Sequence, residues 1–449
     1  MASVAAPTVE VEVSARARQV TLFLLTATYF FSYMDRQILS ILLEDIKADL
    51  LLNDTQLGLL SGLAFALFYA TLGIPIAWLA DRVNRTNIIS ISLGLWSAMT
   101  AVCGLAQNFT HLLLARIGVG VGEAGSSPPS HSIIADLYPS EKRAYALSVY
   151  SLGVTLGAAA GQIFGGNLTY FFDWRTAFIA LGLPGVILAV IVKLFATEPE
   201  RRAEPGQVDS DDRPSLRAGF ASIFANRAAV WLISGVTLTS LIGYALTGWT
   251  PAYLIRSFGL NTFQLGNFVA PVLAVAGVAG GLGSGWLANR LAARYGLHMQ
   301  SWMIAVLKSI ALPFLIWFYL TQNIYVAVGA YGLAVLFQTC YLGPTFALIQ
   351  TLAPMRMRAV WAAVTLLIIN LIGLGLGPTA VGILSDALVP QYGEESLRYA
   401  LLYVAALTPL AIFSYWRAGV HLKRQVPMKA VAATEGIQLE PGKERPVNS

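Results

Sequence analysis

Apolar residues in this chain come in long runs separated by short polar punctuation. Runs of roughly 20 or more such residues are long enough to cross a hydrocarbon core of about 30 Å. They fall at 20–43, 56–80, 87–107, 111–135, 144–171, 175–196, 228–256, 264–289, 299–320, 324–350, 357–386 and 396–417. The pattern predicts an all-α membrane protein of twelve transmembrane helices. One inner connection is longer than the rest, from Thr197 to Arg227, and it carries Pro199, Pro205, Gly206, Asp209, Asp211, Asp212 and Pro214. That composition is a solvated linker. It divides the chain into an amino-terminal six-helix bundle (1–196), a cytoplasmic linker (197–227), a carboxy-terminal six-helix bundle (228–418) and an aperiodic cytoplasmic tail (419–449).

The two parts repeat one another. At an offset of 208, Asn53, Gln56, Leu57 and Gly58 match Asn261, Gln264, Leu265 and Gly266, and Trp78-Leu79-Ala80-Asp81-Arg82 matches Trp286-Leu287-Ala288-Asn289-Arg290. At 215, Pro129, Leu137, Pro139 and Arg143 match Pro344, Leu352, Pro354 and Arg358. Parallel repeats of this kind belong to carriers that rock one bundle against the other around a midplane site.

Composition agrees with the run lengths. Of 449 residues 56% are hydrophobic and only 12% charged, against about a quarter charged in soluble domains. The net charge of +5 does not indicate nucleic acid, because the cations sit in short loops and tails. Lys47, Arg175, Arg256 and Arg398 fall in loops of one side, and Arg36, Arg116 and Lys308 fall inside runs. All the other Lys and Arg residues lie on the opposite side, which places both termini in the cytoplasm. The first run follows Arg16 and Arg18 and has no small-residue cleavage site after it, so it reads as a retained helix. Cys103 and Cys340 both lie in apolar runs and say nothing of a disulfide framework. His111, His131, His298 and His421 are scattered, with no metal-ligand spacing; no metal, cofactor or enzymatic centre is expected.

Four charges stand inside two runs: Asp35 and Arg36 in the first, Arg116 and Glu123 in the fourth. Each costs about 2.5–3.5 kcal/mol at a bilayer centre, about 10 kcal/mol for four unpaired ones, so they must pair, titrate or bind something. Arg116, Gly120 and Glu123 share a helix face at i, i+4 and i+7, while Gly118 and Gly122 let a neighbouring backbone approach. Asp35 and Arg36 are about 100° apart and cannot both face one point. Asp35 and Glu123 are the candidate proton-coupling carboxylates, titrating as a coupled set. Arg116, with Arg36 second, is the candidate partner for a phosphate or other anionic head group.

Several of these residues resemble a known family. Ala77-Trp78-Leu79-Ala80-Asp81-Arg82-Val83-Asn84-Arg85 is similar to the loop signature of the major facilitator superfamily, with Ala77 and Asn84 where that signature has glycine. Arg116 to Ala124 resembles its fourth-helix motif, and Gly153, Gly157, Gly161 and Gly166 its glycine-rich fifth helix. Tyr33-Met34-Asp35-Arg36, Gly122-Glu123-Ala124 and Pro128-Pro129 resemble more narrowly the spinster-type members, which are associated with sphingolipid and lysophospholipid transport. The resemblance implies a secondary transporter, a monomer in the plasma (inner) membrane, with protons and an amphipathic anionic lipid as partners. It also implies a cytoplasmic gate at Asp81, Arg82 and Arg85. A carrier of another organic anion, drug or nutrient is the alternative, since a fold does not fix a substrate.

The second repeat has lost the charges. Tyr331 and Gln338 stand opposite Arg116 and Glu123, and Gly243 and Tyr244 opposite Asp35 and Arg36. A cavity polar on one wall and aromatic on the other suits a charged head with a hydrocarbon tail, with Tyr244, Trp249, Phe337, Tyr341 and Asn370 as candidate lining. Lys308 is expected at the bundle periphery, snorkelling or locally paired, and Gly248-Trp249-Thr250-Pro251 and Gly343-Pro344 as helix breaks.

Overall fold

The computed structural model describes residues 13–80, 82–201 and 216–435. Every regular element among them is helical. In chain order the α-helices are α1 (Ala15–Leu50), α2 (Asp54–Ser61), α3 (Leu63–Ala80), α4 (Arg85–Cys103), α5 (Phe109–Glu123), α6 (Ser127–Leu137), α7 (Ser140–Phe171), α8 (Trp174–Phe195) and α9 (Leu216–Ala225). They continue with α10 (Arg227–Phe258), α11 (Thr262–Gln264), α12 (Ala270–Tyr295), α13 (His298–Leu320), α14 (Ile324–Gln338), α15 (Leu342–Leu352), α16 (Arg358–Ile368), α17 (Gly377–Tyr392), α18 (Ser396–Ala405) and α19 (Thr408–Glu435). Wider π turns at Leu265–Val269 and Ile369–Leu376 and a 3₁₀ turn at Thr339–Tyr341 join α11 to α12, α16 to α17 and α14 to α15.

The starts of these helices are set by short polar side chains that take the first free backbone N–H groups. Asn84, Asn108 and Asp173 each accept from the amide three residues on. The repeat is visible at this level: Asn53 with Gln56 forms a reciprocal capping box at α2, and Asn261 with Gln264 forms the same box at α11. Every apolar run read from the sequence lies on helix, yet nine helices among the described residues are long and apolar enough to cross a membrane by length and composition. Runs 20–43 and 111–135 fall outside the nine, and they are the two that carry Asp35, Arg36, Arg116 and Glu123. The second of them is also interrupted between α5 and α6. The last two runs merge into the single stretch Met355–Arg424.

Packing makes the charged helices central. α7 lies along α1, and only glycine fits between them at Gly161, where a Cβ would come 2.6 Å from the Met34 carbonyl oxygen. At one end of the molecule helices from before residue 201 meet helices from after residue 216. There a Cβ on Gly58 of α2 would lie 2.8 Å from the Pro378 carbonyl oxygen of α17. Toward the opposite end these contacts are lost: a Cβ on Gly73 of α3 or Gly277 of α12 would meet nothing within 4 Å. Of the two expected breaks, α10 runs on through Pro251, whereas the chain does change helix just before Gly343-Pro344, at the 3₁₀ turn.

Candidate functional site

Between the amino-terminal and carboxy-terminal helices lies a cavity of about 430 Å³. The surface of its wall is mostly apolar, with aliphatic residues such as Ile41, Ala158 and Leu273, and it is studded with hydroxyl and amide groups from Tyr33, Gln37, Gln162, Tyr244, Gln338 and Tyr341. No charged side chain lines it among the described residues. Of the expected lining, Tyr244 and Tyr341 are on the wall. Trp249, Phe337 and Asn370 are not: the Trp249 indole is fully buried and donates to the Pro378 carbonyl at 2.9 Å, and Phe337 stacks on Phe314. Their apolar rings found partners between helices, which pattern alone could not distinguish from a cavity position.

The charges stand directly behind the wall. Arg36 Nε and Nη2 both reach Glu123 Oε2 at 2.7 Å, and Ser32 Oγ donates to the same oxygen at 3.0 Å. Glu123 Oε1 is buried with no hydrogen-bond partner. The Arg36 guanidinium is boxed by the rings of Tyr33, Phe65 and Tyr69, at 5.0, 5.1 and 4.6 Å from their centroids, where cation–π attraction holds it. Of these three rings only Tyr33 belongs to the cavity wall.

Asp35 points the other way, as the 100° offset requires. Its Oδ2 accepts from Thr100 Oγ1 at 3.0 Å on α4, its Oδ1 is unpartnered, and no cation among the described residues comes within ion-pair distance. It interacts electrostatically with Glu123 and Arg116. Arg116 shares its helix face with Gly120, as the spacing demands: its guanidinium lies 5.3 Å from the Phe65 ring centroid, and a Cβ on Gly120 would touch the Phe65 backbone. Its Nη1 is unpartnered and it is 2% exposed, away from the wall. The structure therefore brings Arg36 and Glu123 together, holds Asp35 and Arg116 nearby without direct pairing, and leaves Arg36 as the arginine closer to the cavity.

A second cluster occupies the open end. Arg85 donates to Asp136 and, at 2.8 Å, to Ser132 on α6; Nε meets Glu198 at 2.7 Å and Nη2 the Pro199 carbonyl at 2.9 Å. Arg201 donates to the carbonyls of Ala80 and Val83 at 2.9 and 2.8 Å, and Arg82 lies over the Trp78 ring. All these contacts stay within helices and connections before residue 202. Asp81 lies outside the described residues.

The opposite end holds a cluster that sequence reasoning missed. Arg256 at the end of α10 binds Glu44 of α1 at 2.7 and 3.0 Å and Asp54 of α2 at 2.7 Å through two nitrogens. Asp54 also takes Lys47 and Ser385, each at 2.6 Å. Asp386 of α17 accepts the backbone N–H groups of Asp54 and Thr55 at 3.1 and 2.7 Å. This latch ties α1 and α2 to α10 and α17. Lys47 and Arg256 were legible only as loop charges, and a cation beside acidic loop residues at one end was the available signal. Lys308 also departs from expectation: it is 2% exposed and, among the described residues, not ion-paired, with its ammonium over the Tyr341 ring. A long side chain need not snorkel when an aromatic face lies within its reach.

Residues 25–378 match the family model of the Major Facilitator Superfamily. The chain belongs to that superfamily. It is a multi-pass integral membrane transporter of the spinster-like kind. Over 92% of its length it superposes on 99% of a crystal structure of a bacterial homolog to the human lysosomal transporter Spinster, in an inward-facing and unoccupied conformation, with TM-score 0.82 and 29% identity. It is 33% identical over 397 residues to an MFS-type efflux pump of Mycolicibacterium smegmatis, covering 88% of this chain and 91% of that one. Protein spinster homolog 1 of Xenopus tropicalis is 28% identical over 83% of this chain and 75% of its own. A probable galactarate/D-glucarate transporter of Escherichia coli is 26% identical over 96% and 99%.

Proposed function

We propose that this superfamily member is a proton-coupled secondary carrier that works by alternating access and moves an amphipathic anionic lipid, such as a lysophospholipid or a sphingoid phosphate. The observation that carries the reading is the buried Arg36–Glu123 pair against Tyr33, with every donor on one Glu123 oxygen and none on the other. A proton on Oε1 would neutralise the carboxylate and release Arg36, whose planar fork then suits a phosphate or carboxylate entering the cavity. Asp35, with its own bare oxygen, is the second proton acceptor and Arg116 the nearby charge that couples the two. The mostly apolar wall supports a hydrocarbon tail.

In this reading the chain has twelve spans in two six-helix bundles, 1–196 and 228–418. Both termini lie in the cytoplasm, and the protein sits as a monomer in the plasma (inner) membrane. The distribution of cations supports that orientation and makes the open end cytoplasmic, with Arg82 and Arg85 at the inner gate and the Arg256 latch outside. The test is uptake by purified protein in liposomes, with and without an imposed pH gradient, of labelled lysophospholipid and sphingoid phosphate. Glu123→Gln is expected to abolish gradient dependence; uptake by that variant that remains fully gradient-driven rejects the coupling. A second reading, a proton-coupled carrier of a soluble organic anion, is favoured by the amides and hydroxyls of Gln37, Gln162, Thr247 and Gln338 on the wall, which suit a polyhydroxy acid. D-Glucarate in the same assay separates the two.

A further inference from the structure

Lys308 of α13 is 2% exposed, and among the described residues it has no carboxylate within ion-pair distance. An ammonium taken out of water without a counter-charge costs several kcal/mol, and an apolar side chain of the same length would pack without that cost. Packing alone does not account for it. Its ammonium lies 5.0 Å from the centroid of the Tyr341 ring, and Tyr341 is part of the cavity wall, its hydroxyl 3.4 Å from Ser240 Oγ, also on the wall. The ring against which this cation sits is therefore itself part of the cavity wall. That ring sits at the end of the Thr339–Tyr341 3₁₀ turn, where the helix changes, and Gly343 follows with nothing near its Cα face. Such a junction can turn locally.

Tyr33 stands in the same relation to Arg36, on the wall with its ring centroid 5.0 Å from the guanidinium. A cation thus lies against a wall tyrosine on each side of the cavity, one among the helices before residue 201 and one among those after 216. We infer that Lys308 is a second anion-recognition residue, which pairs with the negatively charged end of the substrate once Tyr341 turns aside, opposite Arg36. Two facing cations suit an organic dianion, either a phosphomonoester or a dicarboxylate. Because an anion held by both sides draws them together, the pairing would also couple binding to closure. The inference rests on the anionic-substrate reading above.

The test measures binding to purified full-length protein of 1-oleoyl lysophosphatidate, its uncharged counterpart 1-oleoylglycerol, and D-glucarate, for wild type, Lys308→Met, Lys308→Arg and Tyr341→Ala. One lost charged contact corresponds to about tenfold or more in affinity. The expected result is that whichever dianion binds wild type binds Lys308→Met at least about tenfold more weakly. Lys308→Arg should retain most of the affinity, 1-oleoylglycerol should be unaffected, and Tyr341→Ala should bind the dianion more tightly. Which dianion binds tells the lipid source from the soluble one. Equal dianion affinity in wild type and Lys308→Met overturns the role of Lys308 and leaves the substrate reading standing; wild type that prefers no dianion overturns both. Should Lys308→Met fail to give monodisperse protein, unchanged dianion affinity in folded Tyr341→Ala overturns the inference by itself.

Discussion

Replacing Arg256 with Met tests whether the ionic cluster at the closed end sets the conformational balance. Arg256 makes four N–H···O contacts of 2.7–3.0 Å to two carboxylates on different helices. Its side chain is 17% exposed, Glu44 19% and Asp54 2%, so solvent screens the cluster only in part. Breaking a fully buried pair costs about 3–5 kcal/mol because a charge is left stranded. Here Asp54 keeps Lys47 and Ser385, and only Glu44 loses its partner, which lowers the figure to about 2–3 kcal/mol. At 1.4 kcal/mol per decade that is a change of roughly 30- to 150-fold in the ratio of latched to unlatched molecules. Spin labels at Leu51→Cys and Gln391→Cys, both exposed near the latch, report it as a distance distribution, and native Cys103 and Cys340 are buried. Arg256→Met is expected to move population toward longer distances, and Glu44→Gln to add little on that background. A distribution for Arg256→Met that coincides with wild type would refute the reasoning.

Three further outcomes are expected. Gly161→Leu should lower the melting temperature or prevent folding, because overpacking against the Met34 backbone costs about 1–3 kcal/mol or more; an unchanged melt means α7 and α1 are not held as described. Arg85→Ala takes the cation from Asp136 but leaves Glu198 the Thr86 amide and hydroxyl, and should destabilise by about 2 kcal/mol, while Arg82→Ala, whose side chain is exposed over Trp78, should cost less than about 1 kcal/mol; comparable melting shifts for the two contradict this ordering. Asn53→Ala and Asn261→Ala remove equivalent capping boxes and should each cost about 1 kcal/mol, seen as similar losses in denaturation midpoint.

Helices were readable because their cause is local. Run length fixed the membrane class. Asp35, Arg36, Arg116 and Glu123 were readable for the opposite reason: the cost of a charge in lipid makes each conspicuous in one dimension. What one dimension lacks is direction around a helix beyond its own period. Helical period put Arg116 ahead of Arg36 as the arginine to face a ligand, and the packing of α5 on Phe65 reversed that order. Trp249 and Phe337 could not be told from cavity residues, because an aromatic between two helices and one beside a void have the same spacing. The Arg256 latch joins residues some 200 positions apart in sequence, and no local pattern encodes such a meeting.

The cap that Asp386 places on α2 has a kinetic corollary. The amides of Asp54 and Thr55 find their acceptor on a helix more than 300 residues away, so any separation of the two walls at that end leaves both protons to solvent. Their deuterium uptake would then report the opening of that end, with neither cargo nor an attached probe.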